Sequence, residues 1–170
     1  MVTVIAVYEI HAAISLINRA IQQYKAIIMK TVKHILHNKP AMVHAVSQDA
    51  SVLEALKIMM EKNISALLVT EGGQLKGIFT ERDYARKIIL QGKSSKDTAI
   101  SEVMTQDPHT ITPDEAIDQC MQLMTNKHFR HLPVLDGSTV VGIISIGDLV
   151  KSIIEDQQQT ISQLQSYITS

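Results

Sequence analysis

The sequence predicts an α/β protein of the α+β type, two βαββα units packed about a pseudo-two-fold axis, with helices added at both ends. Three observations predict it. First, sliding the chain by 65 positions aligns Val43 to Ile89 with Pro108 to Ile154 without a gap, and 12 of the 47 pairs are identical, so the halves share one structure. Second, within each half the hydrophobic spacing changes from a helical period to an alternating or continuous strand pattern at the same place. Third, Gly92-Lys-Ser-Ser95 is the one loop-like run between the copies and is too short to separate two independent domains. Units of this size bury little surface alone, so they must share a core.

The elements follow in order. Residues 1–28 place Ile10, Ile14, Ile17, Ile21, Tyr24 and Ile28 at steps of four and three, the stripe of an amphipathic helix expected to pack on its own domain or on a second copy. Docking on another protein or a membrane is the alternative. Glu9, His11, Asn18 and Arg19 interrupt any run long enough to span a bilayer, and no cleavage signature closes the stretch. The first repeat is expected over 30–91. A short strand ends near Ser47, Asp49 signals a helix through Val52, Leu53, Leu56, Met59 and Met60, and two strands flank the turn Glu71-Gly-Gly73. A second helix follows from about Asp83 to Leu90. The second repeat, 97–156, reads the same way, with Pro113-Asp114 as the helix signal, a stripe of Ile117, Cys120, Met121 and Met124, and a turn at Asp136-Gly-Ser138. Its last helix runs from about Asp148 to Glu155. The tail, 157–170, carries Ile161, Leu164 and Ile168 at helical steps and is expected to cap the pair or a neighbouring subunit.

Composition removes several function classes. Sixteen basic residues stand against seventeen acidic ones, and a pI near 6.6 leaves no global field to attract nucleic acid or an anionic membrane. The absence of Trp, with four Tyr and two Phe, argues against a base-stacking platform. Cys120 is the single cysteine, so no internal disulfide forms and a reducing compartment, the cytoplasm, fits best. No metal-ligand set completes itself around His34 and His37 or His128 and His131, and no nucleophile stands with a base and an orienting group, so no catalytic role is expected.

One motif remains. Gly77-Ile-Phe-Thr-Glu-Arg-Asp83 is repeated as Gly142-Ile-Ile-Ser-Ile-Gly-Asp148. A carboxylate at a helix start is held by the helix dipole and can accept two hydrogen bonds from a vicinal diol, while a hydroxyl three residues earlier lies near enough to reach a ribose or a first phosphate. Thr80 with Asp83, and Ser145 with Asp148, meet that description. The plainer reading is that each pair only caps its helix. Gly77 and Gly142 need either positive φ or close packing.

Two units ending in Gly, two apolar residues, Thr or Ser, two further residues and Asp, each after a Leu-x-Val strand, resemble a tandem pair of cystathionine β-synthase (CBS) domains, the Bateman module. The resemblance covers about Lys30 to Asp156 and implies a stand-alone module. It implies adenosine-ligand binding (AMP, ADP, ATP, NAD or S-adenosylmethionine) in clefts between the repeats, and a homodimer formed through helices. A further protein would receive the signal. An interaction scaffold with empty clefts is the alternative.

The copies are not equivalent. Ser65-Ala66 aligns with Arg130-His131, and Arg82 with Gly147. By the resemblance, Arg130 and His131 form a phosphate-facing basic pair, and small Ser65 and Ala66 leave room for a purine. One cleft is therefore expected to use Thr80 and Asp83, with Arg130 and Arg82 reaching phosphates, and the other to use Ser145 and Asp148 with Thr112. Arg82 and Arg86 can equally be solvated helix charges.

Overall fold

The computed structural model describes residues 30–39 and 43–169. The chain divides into two compact units, Met1–Lys30 and Thr31–Ser170, and every described helix and strand belongs to the second. The helix expected over 1–28 lies outside the described residues.

The elements run α1 (Val32–His37), β1 (Ala45–Val46), α2 (Val52–Lys62), β2 (Ala66–Glu71), β3 (Gln74–Thr80), α3 (Glu81–Lys87), 3-10 turns at Ile89–Gln91 and Ile100–Glu102, β4 (Thr105–Gln106), α4 (Ile117–Lys127), β5 (His131–Asp136), β6 (Thr139–Ser145) and α5 (Ile146–Thr169). The βαββα unit is present, but its first strand is minimal. In the first repeat β1 pairs in parallel with β2, Val46 opposite Val69, whereas in the second that strand shrinks to one parallel bridge between Ile111 and Val134, the aligned positions. Both hairpins are antiparallel, and each slips register at the aligned point, between Val69 and Thr70 and between Val134 and Leu135. Two sheets result, β1-β2-β3-β4 and β5-β6.

Local chemistry explains the helix boundaries. Ser51, not Asp49, caps α2: its Oγ accepts from Glu54 N–H at 3.2 Å while Glu54 returns a carboxylate to Ser51 N–H at 2.9 Å. The aligned Ala116 has no such side chain. Both helices end on a left-handed residue, Asn63 and His128. The last helices differ most from expectation. After α3 ends at Lys87 the chain tightens into a 3-10 turn, but α5 continues for 24 residues and absorbs the tail as one helix. Ile161, in the tail expected to cap the pair or a neighbouring subunit, is exposed.

The cores are completed across the repeats. Val32 N–H donates to Glu115 carbonyl at 3.0 Å and Lys33 N–H to Pro113 carbonyl at 2.8 Å, while Ile100 N–H donates to Ala50 carbonyl and Ser101 N–H to Gln48 carbonyl, both at 2.9 Å. Ala50 and Gln48 align with Glu115 and Pro113, so the segment ahead of each repeat docks on the other one. Val32 and Ile35 accordingly sit with Ile117, Cys120, Met124, Leu132, Ile144 and Leu149. Ile100 and Val103 join Val52, Ala55, Met59, Leu67, Phe79 and Ile88. Burying each such side chain contributes about 1.5–3 kcal/mol. A third cluster, Ala66, Leu68 and Ile78 with Val140 and Ile143 against it, seals the join between β3 and β6. Of the stripe read for α2, Val52 and Met59 are inside, whereas Leu53 and Met60 face outward.

The repeated glycines mark these docking points. A Cβ on Gly142 would lie 2.5 Å from Leu36 Cδ2, and one on Gly77 would lie 2.6 Å from Met104 Sδ and 2.9 Å from Thr105 carbonyl oxygen. Close approach, not positive φ, requires glycine at both.

Candidate functional site

Each motif folds into a corner where a strand hands over to a helix. Thr80 ends β3 and caps α3, its Oγ1 accepting from Asp83 N–H at 3.2 Å. In return Asp83 Oδ2 accepts from Thr80 N–H at 3.0 Å and from its hydroxyl at 2.6 Å. Oδ1 lies 2.8 Å from Lys87 Nζ and 3.3 Å from Thr105 Oγ1. The second corner repeats the cap: Asp148 Oδ2 accepts from Ser145 N–H and Ser145 Oγ, both at 2.7 Å. Its cation is different. Lys39 Nζ lies 2.6 Å from Asp148 Oδ2 and donates to Ile143 carbonyl at 3.3 Å. Burial raises the Asp148 pKa, but the hydrogen bonds from Lys39 and Ser145 outweigh it and hold the carboxyl below its ordinary value. Both carboxylates cap their helices, Asp83 in the lining of an open space and Asp148 behind the Ser145 and Lys39 that line another.

Those spaces are two clefts, each built from the corner of one repeat and the helix end and strand start of the other. The first, about 620 Å³, brings Thr80, Arg82, Asp83 and Arg86 against Lys127 to His131. The second, about 470 Å³, brings Ser145 and Lys39 against Lys62 to Ala66. Asp148 stands behind the latter through its bonds to Ser145 and Lys39. Charge is distributed unequally. The first cleft gathers Arg82, Arg86, Lys87, Lys127 and Arg130 around Glu81, Asp83 and Asp107, whereas among the described residues the second has Lys39 and Lys62 and no carboxylate in its lining.

Eight of the ten sequence-predicted residues line a cleft, and Thr112 and Asp148 line neither. Thr80, Arg82, Asp83, Arg130 and His131 meet in the first cleft, Ala66 and Ser145 in the second, and Ser65 and His131 line both. Thr112 lines neither; it is exposed beside the Ile111 bridge, and its carbonyl accepts from Glu115 N–H to start the turn into α4. Arg82 lines the first cleft but points its guanidinium at His128 carbonyl, where α4 ends, and so straps the two repeats together. His131 is pushed below its ordinary value by burial, with Lys39 and Arg130 adding to the shift and Asp148 opposing it.

Sequence reasoning missed Lys87, Lys39, Thr105 and the stack of His109 on Phe129, whose ring centroids are 5.6 Å apart at the wall of the first cleft. Lys87 was readable, four residues after Asp83 on one helix face. Lys39 was not, because it lies 109 residues from Asp148 and only the crossing of α1 onto the second repeat brings it there. Among the described residues no group of three metal-binding side chains forms, and no helix is long and apolar enough to cross a membrane.

The doubled unit that carries these corners has counterparts among known proteins. The CBS domain family model matches twice, over residues 32–90 and 100–155. The chain belongs to the CBS-domain family, as a tandem pair. Among curated CBS-domain relatives, the mitochondrial protein CBSX3 of Arabidopsis thaliana is 41% identical over 125 residues, covering 71% of this chain and 61% of its own length. The chain thus matches less than two thirds of that relative. A solved CBS-domain protein from Burkholderia ambifaria MC40-6 is 51% identical with a TM-score of 0.72, covering 75% of this chain and 96% of the other. The CBS domain pair of MJ0100, solved with 5-methylthioadenosine and S-adenosyl-L-methionine, is 30% identical with a TM-score of 0.65, covering 72% of this chain and 98% of its own.

Proposed function

We propose that this CBS pair is a regulatory module that binds an adenosine ligand of the AMP, ADP, ATP or NAD class between its repeats and passes occupancy to a partner protein. One observation carries the reading: Thr80 and Asp83 of one cap line the first cleft, Ser145 of the other cap lines the second with Asp148 bonded behind it, and the opposite wall of each comes from the other repeat. That arrangement suits a ribose diol on the aspartate, and the bound adenosine compounds of the MJ0100 pair support it. In the first cleft Arg130 and Lys127 would face phosphates, and Arg82 would leave the His128 carbonyl for a charged acceptor, loosening the strap between repeats. The ligand is bound and not transformed. A reducing location such as the cytoplasm suits the buried thiol of Cys120, whose pKa burial pushes up to about 11.

A thermal-shift panel of AMP, ADP, ATP, NAD and S-adenosylmethionine tests the reading. A ligand at a hundredfold its Kd should add about 2.7 kcal/mol of stability. Asp83→Asn should remove the larger part of that shift. No shift with any of the five, or an unchanged shift in Asp83→Asn, overturns the assignment.

A second reading has its own observation. Met60 on α2 is 76% exposed and Leu90 in the 3-10 turn after α3 is 79% exposed, with Ile89 and Ile154 also outward, apolar side chains of the kind a homodimer would cover. Sedimentation of Met60→Glu and Leu90→Glu against the wild-type chain distinguishes a dimerisation scaffold from a ligand sensor, because the scaffold loses its assembly with no nucleotide effect.

A further inference from the structure

Ser65 and His131 are the two described residues common to the linings of both clefts. They come from different repeats, Ser65 just ahead of β2 and His131 at the start of β5, and Ser65 Oγ lies 3.1 Å from His131 Nε2. The repeat alignment pairs Ser65 with Arg130 and Ala66 with His131, so the symmetric mate of this bond would join Arg130 to Ala66 and cannot form. One polar contact therefore stands where the pseudo-symmetry has room for two, in the wall between the clefts. Its chemistry is restrictive. An imidazole nitrogen either donates or accepts a single hydrogen bond, so Nε2 can serve Ser65 or one ligand at a time.

We propose that Ser65 and His131 form a shared wall that makes the two clefts compete: a ligand that takes Nε2 into one cleft withdraws it from the other, so filling one weakens the second. The proposal rests on the reading of both clefts as ligand sites. His131 is faced by Asp148 on α5, by Lys39 beyond α1 and by its neighbour Arg130, and each cleft has histidines of its own, His109 and His128 in the first and His44 in the second. Burial keeps His131 neutral at neutral pH, the state in which one nitrogen accepts and the other donates.

Calorimetry of the full chain with AMP, at about pH 8 where histidine is neutral, reads the competition. Asp83→Asn silences the first cleft; the second should then bind AMP about five- to tenfold more tightly than in the second binding step of the wild-type chain. In a His131→Phe background, which removes Nε2, that difference should vanish, whereas Ser65→Ala, which leaves Nε2 in place, should keep it. Equal affinities, or a difference that survives His131→Phe, overturn the shared wall. Absence of AMP binding, or full binding in Asp83→Asn, refutes the nucleotide reading instead, and the ligand-free protein then decides. In an NMR pH titration the amides of Thr80 in the first cleft and Gly142 in the second should move with the midpoint of the His131 ring, below 6.5, and Ser65→Ala should uncouple Thr80 only. If neither amide moves at the His131 midpoint, the clefts are independent.

Discussion

At the residue scale, the two repeated glycines respond differently to the same change. Gly142→Ala drives a methyl into the end of a leucine side chain, so it should cost about 1–3 kcal/mol, and Leu36→Ala in the same chain should recover part of that loss. Gly77→Ala meets backbone as well as Met104, since Thr105 carbonyl oxygen is 2.9 Å from the new Cβ, so Met104→Ala should rescue it less. Urea denaturation of the two double-mutant cycles measures the contrast. The acid response is also a single-residue property. A His131 pKa depressed below 6.5 means that the unfolded chain holds more protons, so stability is complete above 6.5 and declines as pH falls toward the folded value. Asp148 adds a separate loss that begins only below 3.8. His131→Asn should flatten the stability curve in the upper window and leave the lower one in place.

At the element scale, the exchanged segments set the stability of the opposite half. Ile100→Ala should cost about 2–5 kcal/mol, and native-state hydrogen exchange should show faster opening in α2 and β2 of the first repeat. Val32→Ala should loosen α4 and β5 instead. If exchange rises only in the half that carries the substitution by sequence, the crossed packing is wrong. Cap chemistry predicts a further asymmetry: Ser51→Ala should destabilise α2 by about 1 kcal/mol, whereas Ala116→Ser should gain stability at the aligned position of α4. How much was legible follows the same scale. The βαββα order, the hairpin turns and the two corners came from periodicity and repetition, which are local and doubled. The extent of α5, the exchange of α1 and the Lys39 contact depend on where distant segments dock. No window of sequence contains them. The case of Thr112 is instructive, because a hydroxyl at the right distance along the chain sits just beyond a strand reduced to one bridge, and turns outward.

At the scale of the whole molecule, one offset relates the corners and another relates the segments that cover them. Motif positions repeat at 65, but Leu36 and Met104, which cover the two glycines, repeat at 68. The three extra residues ahead of the second repeat shift what faces each corner. Lys39 accordingly occupies the position of Asp107, and the second corner draws its cation from outside its own repeat. Lys39→Met should therefore raise the Asp148 pKa, observable in a carboxyl-carbon NMR titration. An Asp148 midpoint that does not rise would contradict the origin of its cation beyond α1.

The crossed cores also set a timetable for synthesis. Val32 and Ile35 leave the ribosome early, yet their neighbours extend to Leu149. At ordinary elongation rates the interval is on the order of ten seconds. During that time the apolar face of α1 has no native surface to cover it, while the first repeat can close as soon as Val103 has emerged. The nascent chain must therefore shield α1 with a chaperone or a transient contact, and a stall between the two repeats would leave a finished half carrying an uncovered helix.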